Sequence, residues 1–239
     1  MPRIERLPPP PPAPTRSPPV AVRGEEFLRI DGWNGGPTLD ARVCIPNSAV
    51  RAVVLCHPHP LYGGSMHSPM CLTVARCLSE LGHGRVAWVR FDFRGVGASE
   101  GHYDAGAGER EDALAAIATM ARRLPNVPIT AAGHSFGSWV ALRAAVAAPR
   151  ETLVTRAVLF APSTRLFALS DSELAYSGTT SIFVGSEDDY CDVDEARELG
   201  RRLGADRVYV FEGFDHHFVR GRRRVAEEAL SSLAPEVAS

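Results

Sequence analysis

A serine with a glycine two positions away on each side is the residue best placed to act as a nucleophile. It lies in Gly133-His134-Ser135-Phe136-Gly137, between an apolar strand-like run and a stretch with helical spacing that begins at Ser135. A sharp strand-to-helix turn with small flanking residues lets the two elements pack closely and projects the hydroxyl into a crevice. The amide of Phe136, at the helix start, is the expected donor to a developing oxyanion. The motif predicts attack of Ser135 on a carbonyl carbon.

A second oxyanion donor is expected in the histidine- and proline-rich loop HPHPLYGGSM, residues 57–66, which directly follows another apolar run. Sites of this kind take their second donor from a loop after a neighbouring strand. Proline has no N–H, so Pro58 and Pro60 are excluded and the amide of His59 is the expected donor. The alternatives are the amides of Leu61 and Tyr62.

The acid that would orient a catalytic histidine is expected in Gly185-Ser186-Glu187-Asp188-Asp189-Tyr190, after a further apolar run. A carboxylate there could hold an imidazole and stabilise its protonated form. Asp188 is favoured, with Asp189 as the alternative. We expect Glu187 and Asp192 to be solvated or to cap a helix.

The general base is expected in Gly213-Phe214-Asp215-His216-His217-Phe218, after the last predicted strand. Either His216 or His217 could take the serine proton, because imidazole titrates near neutral pH. Serine, acid and histidine then follow in that order, each after a different strand. This order predicts one site for acyl transfer.

These residues require a sheet that places them together, and the chain alternates strand-like and helical runs in the way that builds one. After a hairpin with a turn at Asn34-Gly35-Gly36-Pro37, the alternation predicts an α/β fold with a mainly parallel sheet and helices on both faces. Ligands bind at the carboxyl ends of strands in such sheets. The predicted strands are 25–30, 40–45, 52–56, 85–91, 129–132, 156–160, 181–184 and 207–211, and the predicted helices 68–81, 109–123, 135–148, 193–203 and 218–233.

Composition excludes several classes of protein. The formal net charge of -2 offers no field for nucleic acid or anionic membranes, and no apolar run reaches the 18 residues of a membrane span. We expect a cytoplasmic protein that acts on a small acyl substrate, with no nucleic-acid or membrane partner. No cofactor or metal is expected: nucleotide-binding glycine fingerprints are absent, and His57 and His59 lack a third histidine at ligand spacing. We expect the ring of His57 to bond the loop backbone instead.

The first 23 residues are expected to be a disordered, proline-rich segment, and residues 24–239 to form one domain. Prolines are dense between positions 8 and 19 and could dock a proline-recognising domain.

From about Glu25 onward the chain resembles the small, lidless bacterial α/β-hydrolases, a family similar to dienelactone hydrolase-like and serine aminopeptidase-like enzymes. The motifs that carry the resemblance are HPHPLYGGSM at 57–66, VRFDFRGVGASEG at 89–101, GHSFG at 133–137, the loop from Gly185 to Asp188 and the Asp215-His216-His217-Phe218 segment. The resemblance implies Asp188 as the acid and His216 as the base. The chain departs from the family pattern at His217, where an aromatic residue is usual, and it has serine where dienelactone hydrolases have cysteine.

The expected function is hydrolysis of small acyl esters through Ser135, His216, Asp188 and an acyl-enzyme. Only about 20 residues separate the strands near Phe160 and Ser181, too few for the helical cap of larger hydrolases. Two alternatives remain from sequence. One is a thioesterase, amidase or peptidase with the same triad, and the other is a binding or scaffold protein that keeps the fold without turnover. We expect Arg94, in the 89–101 motif, to tie down its loop rather than bind a substrate carboxylate.

Overall fold

One eight-stranded sheet forms the centre of the molecule. The structure is a computed structural model that describes residues 21–237, so the proline-rich positions 8–19 lie outside the described residues. The strands are β1 (Glu26–Ile30), β2 (Leu39–Cys44), β3 (Arg51–Cys56), β4 (Val86–Phe91), β5 (Ile129–His134), β6 (Val154–Phe160), β7 (Thr179–Glu187) and β8 (Arg207–Asp215).

The strand order is β1-β2-β4-β3-β5-β6-β7-β8. β1 pairs with β2, and β2 with β4, in antiparallel fashion, and every later pair is parallel. The predicted hairpin and mainly parallel sheet are therefore confirmed. β3 to β8 all end at one edge of the sheet, so the loops that follow these strands lie next to each other.

Helices cover both faces of the sheet, as predicted. They are α1 (Pro69–Leu81), α2 (Ala107–Arg123), α3 (Phe136–Ala147), α4 (Asp171–Leu174), α5 (Val193–Leu203), α6 (Arg222–Glu228) and α7 (Leu230–Leu233). α1, α6 and α7 share a buried apolar cluster on one face, while α2, α3 and α5 pack on the other. No helix among residues 21–237 is long and apolar enough to cross a membrane.

The apolar runs of the central strands are continuous because both of their faces are covered. Val53 and Leu55 of β3 point into the cluster under α1, whereas Ala52 and Val54 point into the cluster under α2 and α3. β3, β4 and β5 each have six residues, and all of these residues are buried. The sheet thereby gives the loops at its carboxyl edge a rigid base.

The prediction of one helix over 218–233 is wrong in detail. A turn occupies the start of this range, and the rest forms α6 and α7 with a junction at Ala229. Phe218 has a positive φ of 50° and is fully buried beneath the turn, a backbone conformation that no helix contains. Apolar periodicity cannot reveal this, because Phe218 is buried in either arrangement.

Candidate active site

Ser135 lies at the junction of β5 and α3, where the backbone is strained. Its φ of 57° and ψ of -122° are rarely adopted by a residue with a side chain. A Cβ on Gly133 would overlap the carbonyl of Gly137, and one on Gly137 would overlap the carbonyl oxygens of Cys56 and His57. The two glycines therefore allow α3 to approach β5 and β3 at van der Waals distance. The turn places the Ser135 hydroxyl in the wall of a cavity.

The predicted base and acid meet Ser135 in one continuous chain of contacts. His216, directly after β8, has its Nε2 2.9 Å from Ser135 Oγ. Its Nδ1 is 2.9 Å from both carboxylate oxygens of Asp188, directly after β7. Asp188 Oδ1 also accepts hydrogen bonds from the amides of Tyr190 at 2.8 Å and Cys191 at 3.2 Å. His216 and Asp188 are both buried, so water competes little for these bonds.

The contacts fix where the protons lie. A carboxylate only accepts, so the ring nitrogen that faces it, Nδ1 of His216, carries the hydrogen. Nε2 then has a free lone pair and accepts from the Ser135 hydroxyl. This is the tautomer that a general base requires.

The alternatives left open by sequence reasoning do not join this chain of contacts. Asp189 is exposed. The ring of His217 lies 5.1 Å from that of His216, in an edge-to-face arrangement, and burial lowers the pKa of His217. The structure thus brings together Ser135, His216 and Asp188, and leaves His217 in the cavity wall.

A further histidine supports the base from behind. Nε2 of His134 lies 2.9 Å from the backbone oxygen of His216, to which it donates. Burial lowers the pKa of His134 to about 3, so the ring stays neutral. This bond holds the His216 backbone against β5. It was not predicted from the sequence, because nothing in the residues around His134 indicates which group its ring bonds.

The HPHPLYGGSM loop lies beside Ser135, as its place after β3 predicts. His57 Nδ1 donates to the Pro58 oxygen at 2.6 Å and its Nε2 accepts the Phe93 amide at 3.1 Å. The prediction that this ring bonds loop backbone is confirmed, and burial lowers the pKa of His57 to about 3. His59 lines the cavity and begins a short 3-10 helix, where its Nδ1 accepts the Leu61 amide.

The loop after β4 is tied down by ionic hydrogen bonds. Arg94 donates from Nε and Nη2 to Asp112 Oδ1 of α2 at 3.0 and 2.8 Å, which confirms its predicted structural role. Asp92 accepts the Met66 amide at 2.7 Å and so joins this loop to the end of HPHPLYGGSM. Burial raises the pKa of Asp92 to about 6.

A hydroxyl that sequence reasoning missed also contacts the nucleophile. Ser163 Oγ lies 3.1 Å from Ser135 Oγ and is 3% exposed. It follows β6 in Ala161-Pro162-Ser163, so the rule that site residues follow strand ends could have pointed to it. The sequence prediction for the segment between β6 and β7 concerned only its length, which is too short for a helical cap.

The cavity at Ser135 has a volume of about 450 Å³. Its wall combines apolar and aromatic side chains with the polar groups of the site, and none of the residues that line it in the described part of the chain is acidic. Residues 161–178, between β6 and β7, contribute only a short rim with the one-turn helix α4. The lining includes His59, Met70, Ser135, Ser163, Phe167 and His216.

A parallel sheet with serine, acid and histidine after separate strands, in that order, defines the class of α/β-fold serine hydrolases. A sequence model described as the alpha/beta hydrolase family matches residues 53–238. The chain belongs to the alpha/beta hydrolase family.

The chain is also similar to individual proteins. A serine hydrolase without a lid from Xanthomonas campestris superposes with a TM-score of 0.76 at 27% identity, over 93% of this chain and 99% of that one. An uncharacterized protein of Rickettsia prowazekii is 28% identical over 74% of this chain and 75% of its own length. A mitochondrial palmitoyl-protein thioesterase of Bos taurus is 32% identical over 55% of this chain, which spans 42% of that protein.

Proposed function

We propose that the protein is a carboxylic ester hydrolase that uses Ser135, His216 and Asp188 as its catalytic triad. The observation that carries the proposal is the continuous chain of contacts from Ser135 Oγ through both ring nitrogens of His216 to Asp188. In the proposed mechanism, Ser135 attacks the ester carbonyl as His216 takes its proton, and His216 then protonates the leaving alcohol. Water, activated by His216, hydrolyses the acyl-enzyme.

The proposed oxyanion donors are the amides of Phe136 and His59. The Phe136 amide is in the first turn of α3, where N–H groups have no acceptor within the helix and the dipole favours negative charge. His59 lines the same cavity wall as Ser135, on the side of the preceding loop. Two amides on two elements fixed to the sheet would meet the developing charge without reorganisation.

Small acyl esters are the proposed substrates. The cavity of about 450 Å³ and the short 161–178 segment favour groups that do not need a long enclosed channel. Hydrolysis of acyl thioesters is a second candidate, favoured by the similarity to the bovine palmitoyl-protein thioesterase. The triad chemistry is the same for both bonds, because each passes through an acyl-enzyme.

Labelling with a fluorophosphonate probe tests the triad directly. We expect wild type to be labelled, Ser135→Ala to lose all labelling, and the matched variant Ser48→Ala, at an exposed serine, to be labelled like wild type. Equal labelling of Ser135→Ala contradicts Ser135 as the nucleophile, and absence of labelling in wild type favours a non-catalytic binding protein.

Substrate class requires a separate assay. A chain-length series of p-nitrophenyl esters, with matched acyl thioesters, should give the highest kcat/KM for short chains. A strong preference for long acyl chains would count against the small-ester assignment, and a preference for thioesters of equal chain length would favour the second candidate.

A further inference from the structure

A second serine contacts the nucleophile, and the proton positions decide what it can do. Ser163 Oγ is 3.1 Å from Ser135 Oγ, and by geometry alone either could donate. Ser135 has a single hydroxyl hydrogen, which it donates to Nε2 of His216 at 2.9 Å. Ser163 is therefore the donor, and Ser135 Oγ the acceptor.

The backbone around Ser163 is held in place. The Ala161 amide donates to the Phe183 oxygen of β7 at 2.7 Å, which anchors the segment to the sheet. The Ser163 oxygen accepts the amides of Leu166 and Phe167, both at 3.0 Å. The backbone of Ser163 is thus anchored, and its side chain is buried.

We propose that Ser163 is a catalytic residue that assists deacylation, through a hydrogen bond to the departing Ser135 Oγ. This inference rests on the proposed function. In the acyl-enzyme, Oγ is an ester oxygen and a weak acceptor. Water attacks the acyl carbon while His216 takes its proton. When the tetrahedral intermediate collapses, the bond from carbon to Oγ breaks, its electron pair moves to Oγ, and His216 returns the proton there.

The bond from Ser163 favours this step over acylation. Negative charge grows on Oγ as the acyl group leaves, so the bond is stronger in the transition state than in the acyl-enzyme. In acylation, the hydrogen bond from Ser163 already stabilises Ser135 Oγ in the free enzyme. The bond therefore lowers the free energies of the starting state and of the transition state together, and the acylation barrier changes little. Ser163 transfers no proton in either step.

Ser163→Ala should therefore slow deacylation about fivefold to tenfold, the effect of one hydrogen bond, and change acylation much less. With p-nitrophenyl acetate, kcat and KM should fall together where deacylation limits turnover, and kcat/KM should stay close to wild type. Ser163→Thr, which keeps the hydroxyl, should retain most of the wild-type deacylation rate. Ser48→Ala is the matched control for a serine-to-alanine change at an exposed position.

Rapid mixing with the acetate ester, acid quenching and intact mass measurement follow the formation and breakdown of acyl-Ser135 separately. Equal breakdown rates in wild type and Ser163→Ala, a matched loss in both steps, or a Thr variant as slow as the Ala variant overturns the role of Ser163. Absence of both acyl-Ser135 and ester hydrolysis in the wild type overturns the proposed function itself, so the two failures are distinguishable.

Discussion

Replacement of Asp188 by asparagine tests the triad at its most buried bond. Oδ1 of Asp188 accepts two backbone amides, those of Tyr190 and Cys191, in addition to its contact with His216. In Asp188→Asn, the side-chain amide oxygen must take the position of Oδ1. An NH₂ group at that position would face two N–H donors, and each lost hydrogen bond would cost about 1–3 kcal/mol. The NH₂ group then replaces Oδ2, 2.9 Å from Nδ1 of His216.

The amide oxygen at the Oδ1 position also lies 2.9 Å from Nδ1, but an NH₂ group at the Oδ2 position would face the ring N–H donor to donor, and we therefore expect it to favour the other tautomer. Nδ1 becomes the acceptor and the ring hydrogen moves to Nε2, which can no longer take the proton of Ser135. A change of this kind in a serine triad lowers kcat about 10⁴-fold, or about 5 kcal/mol of transition-state stabilisation. Both backbone bonds are kept, so we expect the melting temperature to change by only a few degrees.

The assay is kcat on a short p-nitrophenyl ester, with thermal melting to verify the fold. Asp189→Asn is the matched control, with the same change of charge at the adjacent exposed position, and should retain wild-type kcat. The reasoning would be refuted if Asp188→Asn kept kcat within tenfold of wild type, or if Asp189→Asn lost as much activity.

Two other predictions follow from the same geometry. His216→Ala should lower kcat by at least about 10³-fold, whereas His217→Ala should lower it far less, because that ring contacts neither Ser135 nor Asp188; comparable losses in steady-state assays would contradict this assignment. Burial raises the pKa of Asp92 to about 6 from 3.8, so the folded state binds more protons than the unfolded state between these values. This group's contribution to the free energy of unfolding should fall by on the order of 3 kcal/mol as pH rises from about 4 to 6. Denaturant titrations should show this decline reduced in Asp92→Asn, and an unchanged pH dependence would contradict it.

The positions of the strand ends were predictable from sequence, and they determine most of the site. Continuous apolar runs indicate strands covered on both faces, and the polar residues after them must meet at one edge of a parallel sheet. That reasoning locates Ser135 and the segments that hold the acid and the base. Asp188 was favoured within its segment and the family resemblance supported it, whereas the choice of His216 over His217 depended on that resemblance, because both histidines satisfy the same pattern.

The contacts that refine the site could not be predicted from local patterns. The place of Ser163 after β6 makes it a candidate only, because its distance from Ser135 depends on how far β6 extends before the chain turns at Ala161, whose φ is 46°. The bond from His134 to the His216 oxygen joins residues 82 positions apart. The break between α6 and α7 follows from the burial of Phe218 in a turn, which apolar spacing describes equally well as a helix.

The overlap that any side chain on Gly137 would make with β3 fixes the position of Ser135 more tightly than that of the rim. Ser135 lies at the turn from β5 to α3, which packs closely against β3, whereas part of the rim at 161–178 is held by exposed side chains, such as Arg165 in its contact with Asp192. We therefore expect a change in the length of the rim beyond Ser163 to have little effect on the position of Ser135. Substrate preference can then be altered through the rim while the sheet keeps Ser135 in place, and this makes the rim the segment to change by loop grafting or directed evolution.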